Sequence, residues 1–123
     1  MTPRHPRLTS PPIAPPPSAE WVEGQGGVRL FVSVTLPSAS PVAVVVFVLG
    51  PEITTRPPYP RLQAALTAAE FATFSLHPRG TGYSDGLRGD LADYSLFLAD
   101  QHLGLATAVR RFGPLPTFLF GHS

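Results

Sequence analysis

The sequence contains no cysteine and no lysine, and charged residues make up only 14% of its 123 positions. The absence of cysteine excludes disulfides, thiolate zinc sites and a thiol nucleophile. All nine basic residues are arginines, spread from Arg4 to Arg111 without forming a basic stripe, so we expect no binding to nucleic acid. No residue pattern indicates a metal ion or an organic cofactor.

Long hydrophobic runs are also missing. The longest run, from Val42 to Leu49, has eight residues, whereas a helix that spans a bilayer needs about 18. Arg4 and Arg7 precede no apolar segment, so no secretory signal is recognised. We therefore expect a cytoplasmic protein without a transmembrane segment.

Proline is abundant instead, and it concentrates at the N-terminus. Residues 1–19 include PPIAPPPS, in which fixed φ angles and missing N–H donors favour an extended chain. We predict a disordered leader over 1–19, with a proline-motif ligand as the functional alternative. Residues 20–123 are predicted to form the folded domain.

Two strand-like segments around a glycine turn predict an antiparallel hairpin at the start of this domain. The first segment is EWVE, from Glu20, and the turn is Gly26-Gly27. Phe31 and three polar residues of the second segment alternate with its apolar residues, as on a half-buried strand. These apolar residues are Val28, Leu30, Val32, Val34 and Leu36.

The next segments predict a strand, a helix and a second strand. VAVVVFVLG is apolar without alternation and rich in β-branched residues, which is typical of a strand covered on both faces in a parallel sheet. A helical period predicts a helix from Pro60 to Ala72. Its apolar side consists of Leu62, Leu66 and Ala69. TFSLH, which ends at His77, predicts the following strand.

The rest of the chain continues this alternation. PRGTGYSDGLRGD predicts a glycine-rich loop, a helix is predicted from Asp93, its cap, to Phe112, and PTFLF predicts a last buried strand. The apolar stripe of the helix consists of Leu98, Leu105, Val109 and Phe112. The whole pattern indicates an α/β fold, in which the hairpin leads into a mainly parallel sheet flanked by helices.

The sequence ends in FLFGHS, where the last strand is followed by Gly121-His122-Ser123. A serine hydroxyl is a weak nucleophile, and it needs a sharp strand-to-helix turn, a base and N–H donors for the oxyanion. Gly-x-Ser-x-Gly provides this turn, and the chain contains the first half of it. Gly-x-Ser is common by itself, but its position after a strand makes Ser123 the candidate nucleophile.

Several segments together resemble a known family. HPRGTGYSDGLRGD, ADYSLFLAD, GPLPTFLFGHS, VVVFVLG and YPRLQAAL are similar to the first half of the monoacylglycerol-lipase-like α/β-hydrolases, the serine aminopeptidase or lysophospholipase type. The resemblance covers about Glu20 to Ser123. It implies an incomplete α/β-hydrolase fold, Ser123 as nucleophile, and an oxyanion loop at Gly50, Pro51 and Glu52. It also implies a small-molecule acyl ester as substrate of the complete protein.

Two departures from the family pattern bear on catalysis. Leu49 stands where the family has histidine, and in the simplest register Pro51, which has no N–H, takes the donor position; a shift of one residue would bring the Glu52 N–H there. The family places its triad acid and base after the nucleophile, and this sequence has no residue after Ser123. We therefore expect the N-terminal fragment of a serine hydrolase, inactive as this chain.

Three further interpretations concern the glycine-rich loop and the histidine before it. A dyad of His77 with Ser123, oriented by Asp85 or Asp90, competes with a buried, hydrogen-bonded His77, which we favour. Arg79, Asp85 and Arg88 suggest an ion-pair network or simply solvated side chains, and we favour a structural role for them. GTGYSDG also permits a nucleotide-binding α/β domain, although its spacing differs from G-x-G-x-x-G.

A non-catalytic binding or regulatory half-domain is another alternative. The apolar TFLF segment would leave an exposed sheet edge, and such an edge pairs readily with another chain. This alternative predicts a partner or self-association through that edge.

Overall fold

The described residues, 20–48, 60–87 and 93–121, form a five-stranded sheet with one helix on each face in this computed structural model. The strands are β1 (Glu20–Glu23), β2 (Arg29–Thr35), β3 (Ala43–Val48), β4 (Phe71–Leu76) and β5 (Thr117–Gly121). The helices are α1 (Pro60–Ala68) and α2 (Tyr94–Phe112). A 3₁₀ turn at Gln25–Gly27 joins β1 to β2.

The strand order is β1-β2-β4-β3-β5. β1 pairs with β2 and β2 with β4 in antiparallel fashion, whereas β3 lies parallel to both β4 and β5. The crossovers β3-α1-β4 and β4-α2-β5 run in opposite directions along the sheet, and right-handed crossovers then require helices on opposite faces. The predicted α/β fold, with a hairpin leading into a parallel sheet, is confirmed.

The main core lies between the sheet and α2. Alternate residues of β2, β3 and β4 point to this side, and α2 contributes Ala108. Gly104 lets the helix approach closely, because a Cβ there would lie only 3.1 Å from Leu76 Cβ. The buried strand residues of this core are Leu30, Val32, Val44, Val46, Ala72, Phe74 and Leu76.

The opposite face joins α1 to the sheet through hydroxyl groups. Thr67 Oγ1 donates to the carbonyl oxygen of Gln63 at 2.7 Å, so it accepts from Thr35 Oγ1, which lies 3.1 Å away. Thr35 Oγ1 also bonds to Thr73 Oγ1 of β4. The α1 side is therefore bound partly by polar contacts, in contrast to the apolar core under α2.

The hairpin is confirmed, but it is more than half buried. Leu30 and Val32 face the α2 core as the alternation predicts, yet Phe31 on the other face is only 3% exposed. Rings of Trp21 and Tyr83 pack against Phe31, with centroids 5.6 Å and 4.8 Å away. The loop after β4 thus covers a face that we expected to be solvated.

Helix α1 is shorter than predicted. It ends at Ala68 rather than Ala72, and Glu70 follows with a φ of 73°. Phe71 and Ala72 belong to β4, where they pair with Ala43 and Val44 of β3. The helical period does extend through these residues, but ladder hydrogen bonds to a strand about 28 positions away outweigh it.

Helix α2 has the predicted bounds, but its buried side was predicted wrongly. Leu98 and Val109 of the predicted stripe are exposed, while Leu105 and Phe112 are half-buried. The buried residues are Phe97, Asp100, Gly104 and Ala108. Small residues face the sheet because close approach of the helix requires them, and a pattern based on large apolar residues misses this side.

The last strand is present where predicted, but it is not buried. Within the described part of the chain β5 has a neighbour on one side only, and Phe118 and Leu119 are 56% and 60% exposed. Across residues 20–48, 60–87 and 93–121, no helix has the length and apolarity required to cross a membrane.

The cap of α2 generates a prediction about pH. Asp93 accepts hydrogen bonds from the Ser95 hydroxyl and from the Leu96 N–H at 3.3 Å, and these bonds lower the pKa of Asp93. A lowered pKa in the folded state means that the carboxylate stabilises the fold above the ordinary aspartate pKa of about 3.9, and that this contribution is lost as the pH falls through the folded-state pKa.

We expect Asp93→Ala to lower the thermal unfolding midpoint at neutral pH, whereas Asp93→Asn, which keeps an acceptor at the cap, lowers it less. The difference between wild type and Asp93→Ala should shrink at about pH 3. Circular dichroism melts at both pH values measure this. Equal midpoints of all three proteins at neutral pH would contradict the capping role.

Candidate active site

The carboxyl ends of β3, β4 and β5 lie at one edge of the sheet because these strands are parallel. β3 and β5 are direct neighbours, with Phe47 paired to Phe120 and Val48 to Gly121. The rings of Phe47 and Phe120 pack edge to face, with centroids 5.3 Å apart. The chain therefore exits β3 and β5 at neighbouring points of this edge.

The predicted nucleophile and oxyanion loop follow these two strand ends. Gly50, Pro51 and Glu52 come shortly after the last residue of β3, and Ser123 comes shortly after the last residue of β5. All four lie outside the described residues, so their roles remain predictions. Because β3 and β5 pair in parallel, both segments begin at the same edge of the sheet.

Ser84 joins the loop after β4 to the backbone of β2 and β4. Its Oγ accepts a hydrogen bond from the Phe31 N–H at 2.8 Å and donates one to the carbonyl oxygen of His77. The side chain is completely buried. The serine of the RGTGYS motif, residues 79–84 of the glycine-rich loop, is thus a structural residue.

The second glycine of this motif makes room for His77. Gly82 has a φ of 51°, and a Cβ on it would lie 2.0 Å from His77 Nδ1. Gly86 is also constrained, because its φ is 118° and a Cβ would lie 2.8 Å from the Gly80 nitrogen. The glycine spacing therefore follows from how tightly the loop folds over the end of β4.

His77 is completely buried among aromatic rings. Its ring centroid lies 4.8 Å from that of Phe31 and 5.8 Å from that of Tyr83, with which it stacks. Its Nδ1 accepts the Tyr83 N–H at 3.0 Å, which requires that nitrogen to be unprotonated. β3 also separates β4 from β5, so the two strands run about 10 Å apart. These observations favour a structural His77 over a dyad with Ser123.

Arg79 and Asp100 join the same loop to α2. Asp100, which is 1% exposed, accepts hydrogen bonds from the Arg79 backbone N–H at 2.9 Å, from Nε at 2.8 Å and from Nη2 at 2.9 Å. Arg79 Nη2 also donates to the Gln25 carbonyl oxygen at 3.1 Å. The hydrogen bond to Asp100 raises the pKa of Arg79 above its ordinary value, so the guanidinium stays charged.

Arg79 and Asp85, the two described members of the suggested network of Arg79, Asp85 and Arg88, do not form an ion pair with each other. Asp85 pairs instead with Arg29 Nε at 3.1 Å, and Arg88 lies outside the described residues. The Arg29 guanidinium also lies over the Trp21 ring, 4.5 Å from its centroid. Asp85 and Arg79 thus each bind a different element. Asp85 consequently does not orient His77 through its carboxylate.

A comparison with protein families finds that the serine aminopeptidase S33 model matches residues 39–123. The chain belongs to this α/β-hydrolase family. The chain is also 35% identical over 101 residues to a monoacylglycerol lipase from Mycolicibacterium smegmatis. This match covers 81% of the chain and 35% of the lipase. The chain thus spans about a third of that lipase's length.

Solved structures show the same fold at lower identity. A thermostable carboxyl esterase from Bacillus coagulans superposes with a TM-score of 0.63 at 17% identity, over 85% of this chain and 36% of the esterase. An alpha-beta serine hydrolase homologue from Coxiella burnetii has a TM-score of 0.63 at 16% identity, over 90% of this chain and 54% of its own.

In this chain of the hydrolase family, the polar contacts described near the carboxyl ends of the parallel strands stabilise the fold. Ser123, the candidate nucleophile, follows β5 in the sequence and is outside the described residues. His102 is exposed on α2, and the described residues contain no group of three potential metal ligands. The sequence analysis missed Asp100 as a partner of Arg79. The sequence did contain a signal for this partner, because a single carboxylate at position 100 lies on the same side of the helix as Phe97 and Gly104, which are both buried.

The contact between Gly82 and His77 predicts a large loss of stability on substitution. Gly82→Ala forces a Cβ onto a buried ring, and we expect it to cost at least about 3 kcal/mol in the free energy of unfolding. Gly26→Ala is the matched control, since Gly26 also has a positive φ, 79°, but nothing lies within 4 Å of its Cβ position; it should cost about 1 to 2 kcal/mol. Urea unfolding followed by Trp21 fluorescence compares them. Equal costs would contradict the steric account.

The burial of Asp100 generates a separate prediction. Asp100→Ala leaves the Arg79 guanidinium without its carboxylate, and we expect a cost of about 3 to 5 kcal/mol. Glu20→Ala is the control, since Glu20 pairs with Arg111 at 2.8 Å with both side chains exposed; we expect about 1 kcal/mol or less. Urea unfolding measures both changes. Similar losses for the two variants would show that burial of the pair does not matter.

Proposed function

We propose that this chain is the nucleophile-bearing first part of a carboxylic ester hydrolase, with acylglycerols and related esters as substrates. The register of β3 and β5, with Val48 beside Gly121, is the observation that carries the proposal. It starts the segment with the oxyanion loop and the segment with Ser123 from neighbouring strand ends. The substrate class rests on the similarity to a monoacylglycerol lipase.

The proposed chemistry is acyl transfer through serine. Ser123 Oγ attacks the ester carbonyl carbon while its proton passes to a general base, and the resulting oxyanion accepts hydrogen bonds from backbone N–H groups. The intermediate expels the alcohol, which takes up the proton, and leaves an acyl-serine. Water then attacks the acyl-serine and releases the carboxylic acid. In the oxyanion loop, Glu52 has an N–H to donate, whereas Pro51 has none.

We also propose that this chain does not turn over esters by itself. His77 is enclosed by Phe31 and Tyr83 and uses its Nδ1 within the fold. His102 lies on α2, exposed to solvent. The family pattern, which supplies acid and base from residues after the nucleophile, supports the proposal as well.

The nucleotide-binding alternative has no described observation in its favour. The loop after β4 uses its backbone N–H groups within the protein, so they do not converge on an anion site. The N–H groups with acceptors in the fold are those of Gly80, Thr81, Tyr83, Ser84 and Asp85. The small-molecule ester therefore stays the proposed ligand, with no nucleic acid as partner.

A chimera tests the function. The residues that follow the matched segment in the Mycolicibacterium smegmatis lipase are fused after Ser123, and a fluorophosphonate probe and a monoacylglycerol are offered to the product. We expect labelling and hydrolysis by the chimera, and a loss of roughly a million-fold in turnover for its Ser123→Ala variant. The unfused chain should show neither labelling nor hydrolysis.

Two outcomes would contradict the proposal. Hydrolysis by the chimera that persists in Ser123→Ala would remove Ser123 as the nucleophile. Turnover by the unfused chain, absent from its own Ser123→Ala variant, would show that the chain contains a base and would refute its inactivity. Circular dichroism of each variant establishes that loss of activity does not reflect unfolding.

A further inference from the structure

His77 is a titratable side chain around which the fold closes in its uncharged form. It is completely buried at the end of β4, and its ring packs against Phe31 of β2 and Tyr83 of the loop after β4. Its Nδ1 accepts the Tyr83 N–H at 3.0 Å. A backbone N–H is always a donor, so this contact requires Nδ1 without a proton. The closed loop is therefore tied to one charge state of a histidine.

A proton on Nδ1 opposes the closed loop in two ways. It turns the acceptor into a donor, so that two N–H groups face each other, and it places a charge where water has no access. The faces of Phe31 and Tyr83 attract a cation, but this attraction is smaller than the cost of desolvating a charge. Gly82 packs directly against Nδ1, since a Cβ on Gly82 would lie 2.0 Å away. The ring therefore has no space to turn in that direction.

The charged groups around this contact keep their charges near neutral pH. The charged residues of β2, β3, β4, α1 and the loop over residues 78–87 are Arg29, Arg61, Arg79 and Asp85. Arg29 pairs with Asp85 at 3.1 Å. Arg79 pairs with Asp100 of α2 at 2.8 Å, and Arg61 is exposed. Arginine and aspartate side chains stay ionised between pH 5 and pH 7, whereas histidine is the side-chain type that titrates there.

We propose that His77 acts as a pH-sensitive latch, which holds residues 80–86 against β2 at neutral pH and releases them when the imidazole takes up a proton in mildly acidic solution. Gly80 and Gly86, with φ of 76° and 118°, bound the released segment, and glycine accommodates the backbone change of a hinge. Release exposes Phe31, because the Tyr83 ring packs against it at 4.8 Å and Ser84 Oγ accepts its N–H at 2.8 Å.

The release is local because the neighbouring ion pairs do not respond in this pH range. Arg79 stays in place through its pair with the buried Asp100. The pair of Arg29 with Asp85 has side chains that are 60% and 31% exposed, so it contributes little to holding the segment. The opening therefore begins after residue 79 and leaves the core between the sheet and α2 intact, as in local unfolding of a loop.

The direction of the pH effect follows from which form binds the proton. The closed loop excludes the proton and the open loop accepts it, so the equilibrium shifts toward the open loop as the pH falls. In the open loop the imidazole titrates as an ordinary histidine does, near pH 6.5. The ratio of open to closed molecules then rises roughly twentyfold from pH 7 to pH 5.

Amide hydrogen exchange of the 123-residue chain, followed by NMR at pH 5, 6 and 7, tests the latch. After correction for the intrinsic pH dependence of exchange, we expect the protection of the Tyr83 and Ser84 amides to fall roughly twentyfold from pH 7 to pH 5. Amides of α2 and of the ladder between β3 and β4 should stay better protected than these two at every pH. Equal protection of loop and core at pH 5 would show that the whole domain unfolds, which overturns a local release.

His77→Asn separates the latch from other effects of acid. Its Oδ1 keeps an acceptor near the position of Nδ1 but does not titrate in this range, so the protection of Tyr83 should change by less than about twofold. His102→Asn is the matched control, because it removes an exposed histidine of α2; the full fall in protection should remain. Wild-type protection that does not change with pH, or the same fall in His77→Asn, overturns the proposal.

A second measurement needs no variant and stays decisive where His77→Asn does not fold. The nitrogen chemical shifts of the imidazole ring report its charge and the nitrogen that holds the proton. At pH 6 we expect an uncharged His77 ring with its proton on Nε2, because Nδ1 accepts the Tyr83 N–H. A charged His77 ring in a chain whose Tyr83 amide remains protected overturns the latch.

Discussion

The described architecture depends on one buried carboxylate. Asp100 accepts three hydrogen bonds from Arg79, and the same guanidinium reaches the carbonyl oxygen of Gln25. Helix α2, the loop after β4 and the turn between β1 and β2 thus meet at a single ion pair. Gly24 fits this crowded point because a Cβ there would lie 2.8 Å from Leu30 Cδ1 and 3.1 Å from Arg79 Nη2. An unpaired carboxylate at this depth would destabilise the fold strongly, so the three segments depend on one another.

The glycine-rich loop held by this pair packs over the carboxyl end of β4, at the edge of the sheet where we propose the active site. Its serine bonds to β2 and to the end of β4, and one of its glycines leaves space for a buried histidine. This packing buries the end of β4 beside β3, its parallel neighbour. A hydrolase needs its reacting groups on a rigid support, because small displacements of a nucleophile lower the rate considerably.

The two edges of the sheet differ in how they meet solvent. At β1, Glu20 pairs with Arg111 at the end of α2, and Trp21 packs against Phe31 and lies beneath the Arg29 guanidinium. At β5, the part of the chain that the structure describes places no strand on the outer side, and Phe118 and Leu119 are more than half exposed. Polar and aromatic contacts thus cover β1, the first strand of the described sheet.

By itself, the sequence determined the order and type of the elements, the bounds of α2 with its Asp93 cap, and the family, because these depend on local periodicity, caps and short motifs. Only the tertiary structure decided the end of α1, the buried side of α2, the exposure of β5 and the partners of Arg79 and Asp85. Each of these depends on contacts between segments far apart in the chain: Phe71 joins β4 because β3 offers it a ladder, and Arg79 selects Asp100 because α2 lies across the sheet. Local patterns contain no information on such distances, so the sequence predicted a strand at β5 but not which of its sides would be left open.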